Sequence, residues 1–139
     1  MMMQLTLSIL LQSAVMTAGA RDYATAYHQA VETGRPLVVL LGADWCPGCQ
    51  QMKSAAIPEV ERKGGLNKVA FAQVNTDQQR ELAGRLMQGN SIPQLIMYYK
   101  SEAGWHRRQL TGARSVGDIQ AFLDKAPDNS PVTELSSSE

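Results

Sequence analysis

Leu37-Val38-Val39-Leu40-Leu41 is apolar at every position. A strand with one wet face alternates apolar and polar side chains, so an unbroken run reads as a strand buried on both faces. Such a strand needs helices above and below it, which points to a layered α/β arrangement. Gly42-Ala43-Asp44 then turns the chain, and Trp45-Cys46-Pro47-Gly48-Cys49 follows at once. That pentapeptide holds both cysteines of the protein.

Two residues between the cysteines put the sulfurs at i and i+3, on one face if a helix opens there. Pro is favoured at the first helical position, where its missing N–H costs nothing. Pro47 is therefore expected to be the first helical residue and Cys46 the N-cap. The Cys46 sulfur can then accept the Cys49 N–H, in the place usually taken by a Ser or Asp oxygen. The helix dipole favours negative charge at the same point. Both effects stabilise thiolate over thiol, and CxxC thiols at helix N-termini fall to a pKa of roughly 3.5–7.5. Cys46 is the candidate nucleophile and Cys49 the candidate resolving thiol. The rival readings are an inert disulfide and half of a tetrahedral zinc set. Zinc would need His28 or His106, and neither lies at a ligand spacing from the CxxC, so no metal is expected.

The 139 residues are 44% hydrophobic and 19% charged, with formal net charge +0. One globular domain with a real core is expected. Zero net charge argues against nucleic acid as a main partner. Met1 to Ala20 carries no charge, Leu5 to Val15 is mostly apolar, and Ala18-Gly19-Ala20 fits a small-x-small cleavage site. This reads as a secretory signal with Arg21 as the mature start, and hence as an exported or periplasmic protein. No Lys or Arg precedes the apolar run, which leaves an uncleaved helix or a retained anchor as the alternative. The run is short for a membrane span of about 20 residues.

A helix is expected over residues 22–33, with Tyr23, Tyr27, Ala30 and Val31 at helical spacing as its apolar positions and Gly34 and Pro36 as its stop. The CxxC helix is expected to end before Pro58, with a further turn over residues 59–63. Residues 69–74 read as a second strand. Thr76 and Gln79 read as the capping box of a helix that buries Leu82, Ala83, Leu86 and Met87. Residues 94–99 and 105–110 read as a hairpin, with Trp105, Tyr98 and Tyr99 as hairpin residues and Arg107-Arg108 on a solvated edge. A last helix, capped by Ser115, is expected to bury Val116, Ile119, Phe122 and Leu123 and to stop before Pro127. The Ser-rich residues 127–139 read as a disordered tail. Met52, Met87 and Met97 read as core filler. Strands separated by helices imply a parallel pair through a right-handed crossover. The hairpin adds antiparallel strands, giving a mixed sheet of about four strands with helices on both faces. The CxxC sits at the C-terminal end of the first strand, where ligands of open α/β sheets usually bind.

This order of elements resembles the thioredoxin superfamily over residues 23–126. The likeness rests on Trp45-Cys46-Pro47-Gly48-Cys49, on Val74-Asn75-Thr76-Asp77, on Ser91-Ile92-Pro93 and on Leu110-Thr111-Gly112. The Gly-Ala-Asp-Trp-Cys entry is most similar to exported reductase domains of that superfamily. One is the C-terminal domain of the periplasmic thiol:disulfide interchange protein. The resemblance implies a thioredoxin fold over residues 21–126 and a redox-active Cys46–Cys49 disulfide with no other cofactor. It implies a monomer that exchanges disulfides with protein substrates, recharged by a redox partner. It further implies that Pro93 follows a cis bond against the disulfide and that the Ile92 backbone pairs with substrate. Trp45, Pro47, Gly48, Ile92 and Pro93 are thus the expected substrate-facing residues. Thiol–disulfide exchange is the implied mechanism. The other functional class compatible with the sequence is a thioredoxin-fold binding or chaperone module with an incidental CxxC.

Two positions depart from the family pattern. The family often carries a buried carboxylate six residues before the first Cys, where this chain has Leu40. A Lys often accompanies it on the neighbouring strand, where this chain has Gln73. The usual proton acceptor for the resolving thiol is absent, and Lys53, one turn beyond Cys49, is the nearest charged candidate. Asp44 reads as a turn residue.

Overall fold

The structure, a computed structural model, describes residues 21–125. The expected signal segment, 1–20, and the expected tail, 127–139, lie outside the described residues. Helix α1 (Tyr23–Thr33) leads into β1 (Leu37–Gly42). Helix α2 (Pro47–Gln51) runs through a π-helical turn (Met52–Ala56) into α3 (Ile57–Arg62). Then come β2 (Ala70–Asn75), α4 (Arg80–Leu86), β3 (Gln94–Ser101), β4 (Gly104–Thr111) and α5 (Val116–Asp124).

The four strands form one mixed sheet in the order β2-β1-β3-β4. β1 pairs with β2 in parallel, Leu37 beside Ala70 and Gly42 beside Asn75. β1 pairs antiparallel with β3, and β3 with β4. The apolar run of β1 lies centrally and is buried from Leu37 to Leu41. Its alternate side chains feed two cores. Val38 and Leu40 pack with Met52, Ile57, Val60, Ile119 and Phe122 beneath α3 and α5. Leu37, Val39 and Leu41 pack with Ala26, Ala30, Ala83 and Leu86 beneath α1 and α4. Each such fully buried Leu or Val contributes about 1.5–3 kcal/mol of transfer free energy.

Four local expectations are corrected. α1 turns Tyr23, Ala26 and Ala30 inward and leaves Tyr27 and Val31 exposed, because Ala26 and Ala30 share one stripe that the longer side chains flank. Thr76 and Gln79 form no capping box: Gln79 makes no side-chain cap bond. Instead the Asn75 Oδ1 accepts the N–H groups of Asp77 (2.9 Å) and Gln78 (3.1 Å), an Asx turn that orders the stretch before the helix, which starts only at Arg80. The helix does not end before Pro58. The Ile57 N–H bonds back five residues to the Met52 carbonyl, a wide turn that admits a residue without an N–H, and Pro58 becomes an early residue of α3. Arg107 is not simply solvated: its guanidinium donates to the Leu86 carbonyl at 2.8 Å.

Other signals are realised in kind. Ser115 caps α5 by accepting the Asp118 N–H at 3.1 Å. Ile119, Phe122 and Leu123 are buried, whereas Val116, expected with them, is only half-buried against the same core. The hairpin runs slightly longer than its apolar pattern, from Gln94 to Thr111.

Candidate active site

Cys46 has extended backbone angles, and its Sγ accepts the Cys49 N–H at 3.2 Å. Pro47 is the first residue of α2, so the Cys-Pro spelling acts as a helix start. Cys46 and Cys49 are joined as a disulfide with Cα atoms 5.2 Å apart. Both are buried, Cys46 at 6% and Cys49 at 4% exposure. Burial therefore does not distinguish the two cysteines; what distinguishes them is the cap. Only Cys46 sits where N–H groups and the helix dipole converge.

Loops at the ends of the strands enclose the disulfide. The Ile92–Pro93 peptide bond, just before β3, is cis. The Ile92 carbonyl lies 3.9 Å from the Cys46 Sγ. The Pro93 carbonyl accepts the Gly112 N–H at 2.8 Å, tying this loop to the end of β4. Gly48 lies in the seam: a Cβ there would stand 3.4 Å from both the Pro93 Cδ and the Ala113 Cβ. Pro93 is buried, Ile92 and Gly48 are half-buried, and Pro47 and Ser91 are exposed. Trp45 is 69% exposed, and its indole N–H donates to the Asp77 carboxylate at 2.9 Å. The Asx turn at Asn75 sets the position of Asp77, so Trp45 is held from the far side of the parallel pair. The Ile92 carbonyl thus meets the Cys46 sulfur and Gly48 meets Pro93, while Trp45 and Pro47 flank Cys46 in the chain and are exposed.

A cleft of about 390 Å³ opens on the other side of Cys49, lined in part by Leu40, Gly42, Asp44, Lys53, Gln73 and Asn75. Arg21 and Asp22 lie on its rim. Burial lowers the Arg21 guanidinium from its usual value. Arg21 pairs with Glu61 and lies 5.0 Å over the Phe71 ring. The Asp22 carboxyl is lowered, chiefly by the Thr25 hydroxyl and then by backbone N–H groups. Asp44 accepts the Asn75 amide at 3.3 Å and so serves as a turn anchor.

The two histidines stand apart from this constellation. His28 lies on α1 beside Tyr27, and His106 bonds Ser101 at the hairpin end remote from Pro93. Among the described residues no group of three or more His, Cys, Asp or Glu is placed to hold a metal ion. One participant escaped the sequence reading. Gln94, 1% exposed, bonds four times to the loop before Ile92. Its only sequence signal is a polar residue opening an otherwise apolar strand.

The thioredoxin family model matches residues 20–125. No curated protein matches the chain. Among solved structures, a thioredoxin from Thermus thermophilus is 25% identical, covering 75% of this chain and 82% of its own, with a TM-score of 0.62. Trichomonas vaginalis thioredoxin is 24% identical, covering 75% and 90%, with a TM-score of 0.59. Trxlp from Edwardsiella tarda is 26% identical, covering 71% and 91%, with a TM-score of 0.55. The mixed sheet, the capped CxxC and the extent of the family match agree: this chain belongs to the thioredoxin family and carries the cysteine pair of a thiol–disulfide oxidoreductase.

Proposed function

We propose that the protein reduces disulfides in protein substrates, with Cys46 as nucleophile and Cys49 as resolving thiol. In the reduced form the Cys46 thiolate attacks one substrate sulfur. The substrate S–S bond breaks, and the departing thiolate takes a proton from solvent. Cys49, once deprotonated, attacks the Cys46 sulfur of the mixed disulfide and expels the second substrate thiolate. Two electrons have passed to the substrate, and the Cys46–Cys49 disulfide remains for a reducing partner to reopen.

The observation that carries this reading is the 3.2 Å bond from the Cys49 N–H to the Cys46 sulfur. A helix N-terminus stabilises the sulfur as attacking thiolate and as leaving group. The exposed Trp45 and Pro47 and the half-exposed Ile92 offer a surface beside it for an extended chain. Pro47 and Gly48 place no charge or aromatic ring between the cysteines, which favours a reductant over a strong oxidant. The uncharged N-terminal stretch and Ala18-Gly19-Ala20 support action outside the cytoplasm.

Equilibration with glutathione tests the direction. A reductase is expected near about −270 mV, whereas a value near about −120 mV would make the protein an oxidant. A pair that shows no reversible couple would leave only the binding-module reading. Cys49→Ser is expected to trap substrate proteins on Cys46, and Cys46→Ser to trap few.

A further inference from the structure

Gln94 is the one buried polar side chain among the described residues. It follows Pro93 and opens β3. Its amide nitrogen donates to the carbonyls of Gln88 (2.9 Å), Gly89 (3.3 Å) and Ser91 (2.9 Å). Its oxygen accepts the Gln88 N–H at 3.3 Å. A side-chain amide offers two N–H protons and one carbonyl, and here all are spent on one loop. Two β4 side chains reinforce it. Gln109 donates to the Gln88 carbonyl at 3.2 Å, and Arg107 donates to Leu86 at 2.8 Å and to Gln109 at 2.6 Å.

That loop ends at Ile92, whose carbonyl lies 3.9 Å from the Cys46 sulfur. Gln88, Gly89 and Ser91 are themselves exposed. Water can therefore reach this loop, and the bonds matter for more than satisfying polar groups. What the bonds fix is where the loop lies. A residue with only donors or only acceptors could not close the same set.

We propose that Gln94 is a positioning residue for disulfide exchange: it pins residues 88–91 so that the Ile92 backbone is presented to an extended substrate beside the Cys46 sulfur. This rests on the exchange reading above. Gln94→Met keeps the length and removes both hydrogen-bonding functions. Its KM for a peptide disulfide is expected to rise about tenfold, with kcat changed less than about twofold. Its rate with a small aromatic disulfide, which needs no backbone pairing, should stay within about twofold. Gln109→Met, losing one loop bond, should raise the same KM about two- to threefold. An unchanged KM in folded Gln94→Met overturns the proposal, and so does an equal loss with both substrates. If Gln94→Met does not fold, Gln109→Met decides, and an unchanged KM there overturns it. If the wild-type protein reduces neither substrate, the exchange reading falls on its own. Amide hydrogen exchange then judges the loop: about tenfold faster exchange at Gln88, whose N–H the Gln94 oxygen accepts, in Gln94→Met supports the pin, and unchanged exchange there overturns it.

Discussion

Leu40 on β1 stands beside Gln73 on β2 in the parallel ladder, and both line the cleft that reaches Cys49. Neither can accept a proton near neutral pH, yet Cys49 must lose one before it can resolve a mixed disulfide. Asp44 also lines this cleft but is engaged as a turn anchor by the Asn75 amide, and activation of Cys49 is expected to fall to water, the Cys46 sulfur or Lys53. Leu40→Asp is expected to speed resolution near pH 7 and to give it a new pH dependence. The variant should also lose about 2–5 kcal/mol, since an apolar core contact becomes a partly buried carboxyl. Stopped-flow measurement of mixed-disulfide decay reads this directly. An unchanged decay rate in the folded variant would show that proton removal is not limiting.

Gly42 is spatially required by Cys49. A Cβ on Gly42 would stand 2.8 Å from the Cys49 Cβ and 2.9 Å from its Sγ. In the disulfide the Cys49 Sγ is tethered and cannot turn away; in the dithiol it can, which relieves the sulfur contact while the Cβ contact stays in both forms. Gly42→Ala is therefore expected to lower stability by about 1–3 kcal/mol, more in the oxidised form than in the reduced form. The unequal loss makes the disulfide easier to reduce, so the potential should rise, about 30 mV for each 1.4 kcal/mol of difference. Thermal unfolding of both redox forms checks the claim, and equal losses would refute it.

Acid should weaken the start of α1. The Asp22 carboxylate caps this helix and is held below its ordinary value, first by the Thr25 hydroxyl and then by the Thr25 N–H. Because the folded value is depressed, the contribution is fully present above the unfolded carboxylate value of about 3.9 and is lost as pH falls through the folded value. Asp22→Ala should flatten the acid limb of the stability curve and leave its slope near neutrality unchanged. An identical acid limb in the variant would contradict this.

The sequence was most legible where one residue type has one structural use. The unbroken apolar run of β1, Pro47 after Cys46, and Ser115 before α5 each appear in the expected role. It was least legible where neighbours compete for one role. Thr76 reads as a cap, but the Asn75 side chain before it takes the Asp77 and Gln78 N–H groups in an Asx turn, and the helix starts later, at Arg80. Pro58 forbids one hydrogen bond, but a π-helical turn relocates that bond and the helix goes on. Tyr27 and Val31 fit a helical period, but Ala26 and Ala30 pack closer to the sheet. The disulfide surroundings were visible in Trp45, Ile92 and Pro93, which carry the family pattern. Gln94 was not visible, because its partners are backbone carbonyls of a loop that only the fold brings back to it.

Alkylation of the fully reduced protein tests the central assignment most directly. Substoichiometric iodoacetamide near pH 7, followed by peptide mapping, reports which sulfur is the thiolate. The N-cap geometry predicts that Cys46 is labelled first and that Cys49 stays largely unmodified. Preferential labelling of Cys49, or equal labelling of both, would contradict it.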